Sequence, residues 1–263
     1  MKIALVDSGI GLLPAAAAVR RARPDADLVL SSDPGGMPWG PRSTRDIADR
    51  ALACARAAAA LGPDALIVAC NTASVHALPA LRAELEPALP VIGTVPAVKP
   101  AATGGGPVAV WATPATTGSP YQQRLIADFA DGVDVTEVPC HGLADAVERA
   151  DEAAIDAAVR AAAALTPPGV RSLVLGCTHY ELVGARIRQA VLSAGGREPV
   201  LFGSADAVAA QALRRVRDAG PAAALAAGAA PSLVVLHGGE RAELTEAALG
   251  YLEGRGLAAV SPA

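Results

Sequence analysis

The sequence predicts an α/β fold of two similar domains facing each other, each a mainly parallel sheet covered by helices. Three observations carry this. Short continuous apolar runs alternate with longer Ala-rich stretches, the pattern of strands buried on both faces and joined by crossover helices. Hydrophobic residues make up 52% of the 263 residues but aromatic residues only 3%, so the core must rest on Ala, Val and Leu, which suit close packing of helix on sheet. The chain also states one pattern twice: a run ending in Asp7 precedes by 63 positions one ending in Cys70, and a run ending in Thr113 precedes by 64 positions one ending in Cys177. Duplicated α/β units are the simplest reading, and such sheets bind ligands at the carboxyl ends of their strands.

The apolar runs place strands at 2–7, 26–31, 65–70, 91–94, 108–113, 133–138, 172–177, 200–202 and 232–236. The stretches between them place helices near 11–22, 43–61, 73–86, 119–130, 151–165, 180–194, 205–218 and 240–253. After the first strand, Asp7-Ser8-Gly9 offers a cap and Gly9-Ile10-Gly11 a tight turn into a helix. A dinucleotide loop is disfavoured there because Pro14 stands where the third glycine would be, and no GxxxxGK[ST] occurs anywhere. Gly104 to Gly106 lead into a strand rather than out of one, so they read as a flexible connection. Boundaries fall near 95–100, within GTVPAVKPAA, and near 204. The first domain is therefore 1–97 plus 206–263 and the second 98–205.

Charge and composition exclude several function classes. The formal net charge is -4 and the Lys and Arg residues are scattered singly, which leaves no footprint for nucleic acid or an anionic membrane. The longest apolar stretches, 51–60 and 65–70, are interrupted or bounded by charge and too short to span a bilayer. The first apolar run stops at Asp7 and does not make a signal peptide. A cytoplasmic protein with a small-molecule partner is expected. Cys54, Cys70, Cys140 and Cys177 contain no C-x-x-C and read as free thiols. Cys140, His141, Cys177 and His179 lack the spacing of zinc modules, so no metal is expected. Ser8 lies in no G-x-S-x-G elbow, which argues against a serine hydrolase.

Cys70 and Cys177 stand out because they share a context. Each closes an apolar run and precedes a helix carrying a threonine, Asn71-Thr72 in one case and Thr178 in the other. Thr178 and Glu181 form a T-x-x-E capping box, which sets Cys177 just before a helix N-terminus. An ordinary cysteine titrates near ~8.5, and a helix N-terminus or a protonated histidine such as His179 lowers that value. One cysteine at a strand end is more often packing than chemistry. Two in matching contexts, each closely followed by a threonine, are hard to explain by packing alone. Cys54, inside an Ala-rich helix, reads as core, and Cys140 beside His141 stays undecided.

The motifs run nearly the whole chain: Asp7-Ser8-Gly9-Ile10-Gly11, Asp33, Pro38-Trp39-Gly40-Pro41-Arg42-Ser43, Ala69-Cys70-Asn71-Thr72-Ala73-Ser74, Pro96-Ala97-Val98-Lys99-Pro100, Ala112-Thr113-Pro114-Ala115-Thr116, Glu148 and Gly176-Cys177-Thr178-His179-Tyr180. In these the chain resembles the glutamate racemase family of the aspartate/glutamate racemase superfamily. The resemblance implies two α/β domains with the active site in the cleft between them, one catalytic cysteine from each, and no cofactor. It makes Asp7 and His179 helpers of the thiols and Glu148 a further acid/base group, against a plain solvated helix carboxylate. It assigns the substrate's carboxylates and ammonium to Asp7, Ser8, Pro38, Trp39, Gly40, Asn71, Thr72, Thr116, Thr178 and His179. The implied partner is glutamate, with D-glutamate going to peptidoglycan; neither nucleic acid nor membrane is implied, and a homodimer is left open. Cys70 would deprotonate the D-isomer and Cys177 the L-isomer.

Four departures bear on substrate identity. Trp39 stands where the family usually has Tyr, the run from Ser32 to Met37 matches only in part, Thr94-Val95-Pro96 lacks the usual Glu, and Gly203 replaces an Asp. Aspartate, a hydantoin or another amino acid remains an alternative substrate. So do a decarboxylase with one essential thiol and a binding or regulatory protein that keeps the cleft without turnover.

Overall fold

The structure, a computed structural model, describes residues 1–218 and 231–259. The chain divides into two compact units, Met1–Thr94 with Ala205–Ala263, and Val95–Ser204. The first begins with β1 (Lys2–Asp7), α1 (Leu13–Ala22), β2 (Asp27–Ser32), α2 (Thr44–Ala59), β3 (Ala65–Val68), α3 (Asn71–His76), α4 (Leu78–Leu85) and β4 (Val91–Gly93). The second holds α5 (Val98–Thr103), β5 (Val108–Ala112), α6 (Pro120–Phe129), β6 (Val135–Pro139), α7 (Leu143–Glu148), α8 (Glu152–Ala164), β7 (Ser172–Leu175), α9 (Gly184–Ser193) and β8 (Val200–Phe202). The chain then returns to the first unit with α10 (Ala205–Asp218), β9 (Leu233–His237), β10 (Glu240–Ala242), α11 (Glu246–Leu249) and α12 (Leu252–Ala258).

Both sheets are built as the apolar runs require. The first has the order β10-β9-β2-β1-β3-β4 and the second β6-β5-β7-β8. Every pairing is parallel except β10 with β9. The central strands are buried along their whole length, which is why they read as unbroken apolar runs instead of alternating ones. Helices approach closely because their inner faces are small: Ala51, Ala55 and Ala58 of α2 are fully buried in one cluster with Ala4, Val6, Leu66 and Val68. Trp111 in β5 is buried too, and its indole N–H donates to Thr166 Oγ1 at 2.9 Å, whose hydroxyl donates to the Ala162 carbonyl at 3.0 Å.

The repeated corners are the part of the fold that matters for function. β3 and β7 stop at Val68 and Leu175, two residues before their cysteines, not at Cys70 and Cys177 as the apolar runs suggested. One more rung follows each strand. Ala69 N–H donates to the Val6 carbonyl at 2.8 Å and Gly176 N–H donates to the Trp111 carbonyl at 2.7 Å. Each cysteine is then the extended residue that precedes a helical turn, at φ −142°, ψ 122° for Cys70 and φ −138°, ψ 136° for Cys177.

Elsewhere the helices and strands differ from expectation for identifiable reasons. The segment expected as a helix at 240–253 opens with β10, which folds back on β9 through Gly238-Gly239, at φ 59° and 90°. Two consecutive positive-φ glycines are the signature of a tight hairpin. The helix expected at 73–86 starts earlier, at Asn71, and breaks between His76 and Leu78. Pro79 lies in the first turn of α4, where its missing N–H costs nothing. α5 and α7, six residues each, are too short to show helical periodicity. Gly104 ends α5 and Gly105 and Gly106 take φ 67° and 88°, a defined turn where a flexible connection was expected. No helix of the described residues is long and apolar enough to cross a membrane.

Replacing Thr166 by Val keeps the shape but strands the buried Trp111 N–H. Leaving a buried donor unsatisfied costs about 1–3 kcal/mol, so Thr166→Val should lower the urea midpoint. An unchanged midpoint would show that this bond adds nothing to stability.

Candidate active site

In the first unit the Cys70 corner is fastened from below. The Val68 carbonyl, the last of β3, accepts from both Thr94 Oγ1 at 2.7 Å and Ser74 Oγ at 3.3 Å, while Thr94 N–H donates to Ser74 Oγ at 2.8 Å. Ser74 N–H in turn donates to the Cys70 carbonyl at 2.9 Å. Sequence reasoning missed this support by Ser74 and Thr94, because the two are twenty residues apart in the chain. Cys70 and Asn71 are buried and Thr72 half-buried.

Asp7 ends β1, the neighbour of β3, one residue beyond the paired Val6 and Val68. It is fully buried, and its Oδ1 accepts from Ser8 N–H at 2.7 Å and lies 3.4 Å from Ser8 Oγ. The residues that directly precede the 3-10 turn Ile10–Leu12 and α1 are Gly9 and Leu12, and neither supplies a side-chain cap. The Ser8 carbonyl accepts from Asp33 N–H at 3.2 Å, which joins this corner to the loop after β2. That loop carries Pro38-Trp39-Gly40. Pro38 is exposed and Gly40 half-buried, but the Trp39 side chain is only 1% exposed and belongs to the same core cluster as Cys70.

In the second unit Cys177 follows β7 and heads the 3-10 turn Thr178–Val183, which runs on into α9. The thiol is half-buried, while Thr178 and His179 are buried. His179 Nδ1 lies 3.8 Å from Cys177 Sγ, and His179 Nε2 lies 2.9 Å from Glu148 Oε2 at the end of α7. A carboxylate acceptor keeps a proton on Nε2. Nδ1 then accepts from the thiol or, in the imidazolium, donates to the thiolate. The Glu148 side chain is 17% exposed and so is not a freely solvated carboxylate. Thr116 lies after β5, the strand beside β7, where its Oγ1 is 3.2 Å from Thr113 Oγ1.

The expected capping box does not hold as drawn. Cys177 occupies the capping position and Thr178 is already in the turn. The Glu181 carboxylate accepts from Ser204 N–H at 2.8 Å and Ser204 Oγ at 2.9 Å. Gly203 is what makes room for it, since a Cβ there would run into that carboxylate.

The other two cysteines are chemically muted. Cys54 is buried in α2, and burial pushes its thiol up to about 12. Cys140 follows β6, with its carbonyl accepting from the Tyr180 hydroxyl at 3.4 Å. Burial, then the nearby Cys177, pushes the Cys140 thiol up to about 12. Among the described residues no three His, Cys, Asp or Glu side chains gather as a metal site.

Comparison with known proteins bears on the chemistry these corners can perform. The Asp/Glu/Hydantoin racemase family matches residues 12–212. A glutamate racemase of Roseiflexus sp. is 38% identical over 226 residues, covering 83% of this chain and 80% of that protein. The chain belongs to the glutamate racemase family. A glutamate racemase of Herpetosiphon aurantiacus is 34% identical, over 81% of this chain and 83% of its own. The crystal structure of Escherichia coli glutamate racemase, in complex with L-glutamate and the activator UDP-MurNAc-Ala, superposes with a TM-score of 0.76. It is 27% identical and covers 95% of this chain and 91% of its own.

Alkylation should separate the thiols of this racemase-family chain. At pH 8 a group titrating near 12 is thiolate in about one molecule in ten thousand, and Cys54 and Cys140 are buried besides. Iodoacetamide is expected to modify Cys177 in the native protein well before Cys54 or Cys140, as read by peptide mass spectrometry. Equal labelling of all three would contradict the burial described.

Proposed function

We propose that the protein is a cofactor-independent glutamate racemase that interconverts L- and D-glutamate with Cys70 and Cys177 as its two acid/base groups. The observation that carries this reading is the repetition of one corner: an extended cysteine, one residue past the last rung of a parallel ladder, at the head of a helical turn. Each compact unit is read as a domain that contributes one thiol.

Racemisation removes a weakly acidic α-hydrogen from one face of the carbon and returns a proton to the other, which two separate groups accomplish more readily than one. Thiols suit the task because their ordinary pKa lies near working pH. In the L to D direction the Cys177 thiolate takes the α-hydrogen and the Cys70 thiol supplies the proton; in the reverse direction the roles exchange. With no pyridoxal ring to accept electrons, negative charge moves onto the substrate carboxylate. In this reading backbone N–H groups near Asn71 and Thr178 stabilise it. His179, held by Glu148, exchanges a proton or charge with Cys177 across the 3.8 Å contact. Asp7 plays the corresponding part for Cys70. Ser8, Pro38, Trp39, Gly40, Asn71, Thr72, Thr116 and Thr178 hold the substrate, with Asp7 and His179. For Trp39 the contact falls to backbone, because the side chain is buried.

The assignment of glutamate rests on the relatives, which are named for that substrate. We place the enzyme in the cytoplasm, supplying D-glutamate for peptidoglycan; four free cysteines suit a reducing compartment.

Free amino acids incubated with the wild type and followed by chiral chromatography should show interconversion of glutamate above all others. Cys70→Ala and Cys177→Ala should each lower that rate by about a hundredfold or more, the usual contribution of one acid/base group. If both variants keep full activity, the two-thiol assignment fails. Turnover of aspartate in preference to glutamate would move the chain to another branch of the superfamily.

A further inference from the structure

The loop between β2 and α2 is closed by a ring of charged hydrogen bonds that the proposed chemistry does not itself use. Asp33 Oδ2 accepts from the Trp39 indole N–H at 3.1 Å and from Arg50 Nη1 at 2.9 Å. Arg50 Nε donates to Asp46 Oδ1 at 3.0 Å, and Asp46 Oδ2 accepts from Arg42 Nη1 at 2.8 Å. Arg42 Nε then donates to the Gly36 carbonyl at 2.6 Å, and Arg42 N–H to the Trp39 carbonyl at 3.0 Å. The path returns to its start through Gly36 N–H, which donates to the Asp33 carbonyl at 3.0 Å. Both ends are anchored: Asp33 N–H bonds Ser8 at one, and Ser43 Oγ caps α2 by accepting from Asp46 N–H at the other.

Two departures from the family pattern fit together inside this ring. Trp39, where Tyr is usual, exchanges a phenol hydroxyl for an indole N–H, and that N–H is the group aimed at Asp33. Gly36 lies in the stretch that matches the family only in part. A Cβ at Gly36 would collide with the Asp33 carboxylate and the Arg50 guanidinium. The glycine therefore leaves the space in which the ion pair forms. The Asp33 side chain is 15% exposed and that of Arg50 33%, so the pair is partly shielded from solvent and salt. Asp33 holds the Arg50 guanidinium above its ordinary value.

We propose that Asp33 is a positioning residue for substrate binding: its carboxylate, shared by Trp39 and Arg50, fixes the backbone of residues 38–40 in the conformation that receives a substrate carboxylate. The inference rests on the racemase reading above and on the part that reading gives to residues 38–40. Asp33 touches no reacting atom. Its loss therefore weakens the ground state and the transition state alike, which raises KM and spares kcat.

Steady-state racemisation of L- and D-glutamate by wild type, Asp33→Ala, Asp33→Asn and Trp39→Phe tests this. Trp39→Phe keeps an aromatic ring in the buried slot and removes the indole donor, so it reports even if Asp33→Ala does not fold. Expected is a rise in KM of about tenfold for Asp33→Ala and Trp39→Phe, the scale of one unsatisfied partly buried partner, with kcat held within about threefold. Asp33→Asn, which still accepts from the indole, should recover part of the wild-type KM. Active variants with unchanged KM, or a fall in kcat at unchanged KM, overturn the positioning role and leave the racemase reading intact. A wild type that interconverts neither enantiomer overturns the racemase reading, and this inference with it.

Discussion

The last hydrogen bond of a parallel ladder sets the position of each thiol. Ala69 N–H to the Val6 carbonyl in one unit and Gly176 N–H to the Trp111 carbonyl in the other hold the backbone immediately before Cys70 and Cys177. The rung leaves little room beside it. A Cβ on Gly176 would stand 2.8 Å from the Trp111 carbonyl oxygen and 3.2 Å from the Ala112 Cβ, and Ala69 is itself fully buried. Small residues at these two positions let the strand stay paired to its end. The cysteine that follows is then presented at the strand's carboxyl edge, where open α/β sheets place their ligands.

Around this common corner the two units supply different surroundings. In the first unit a buried carboxylate, Asp7, ends the strand next to the one that leads to Cys70, in contact with Ser8. Beside Cys177 stands an imidazole whose far nitrogen meets Glu148. A racemase faces two mirror-image substrates with a chiral protein, so the groups serving the two faces need not be alike. In the proposed mechanism what they share is a thiol that acts as either acid or base. By contrast Cys54 and Cys140, pushed up to about 12 by burial, are locked as thiols.

Much of this was legible in the sequence, and the omissions have physical causes. The apolar runs located nine strands; the signal is cleanest at β3, β5 and β7, which are buried along their whole length, while the edge strands β6 and β8 are only partly buried. The paired cysteines stood out because their contexts repeat. β10 escaped because its three residues, Glu240–Ala242, are polar or small and only Gly238-Gly239 announces the hairpin. The T-x-x-E pattern at Thr178 pointed to a box that the fold does not build, since Glu181 finds Ser204, 23 residues away, instead. The ring through Asp33, Trp39 and Arg50 was equally hidden, because local periodicity says nothing about which side chains meet after the chain has folded. Family resemblance flagged Glu148, but only the structure shows the carboxylate on His179.

The claim on which everything else turns is that two different groups handle the α-hydrogen, one on each face. Racemisation of L-glutamate in D₂O, stopped at low conversion and analysed by mass spectrometry of the separated enantiomers, tests it directly. The account predicts that the newly formed D-glutamate carries solvent deuterium at its α-carbon, while the remaining L-glutamate keeps its original hydrogen. D-glutamate that retains the substrate's own hydrogen, or L-glutamate that gains deuterium as fast as D-glutamate appears, would mean that a single base serves both faces, and would contradict it.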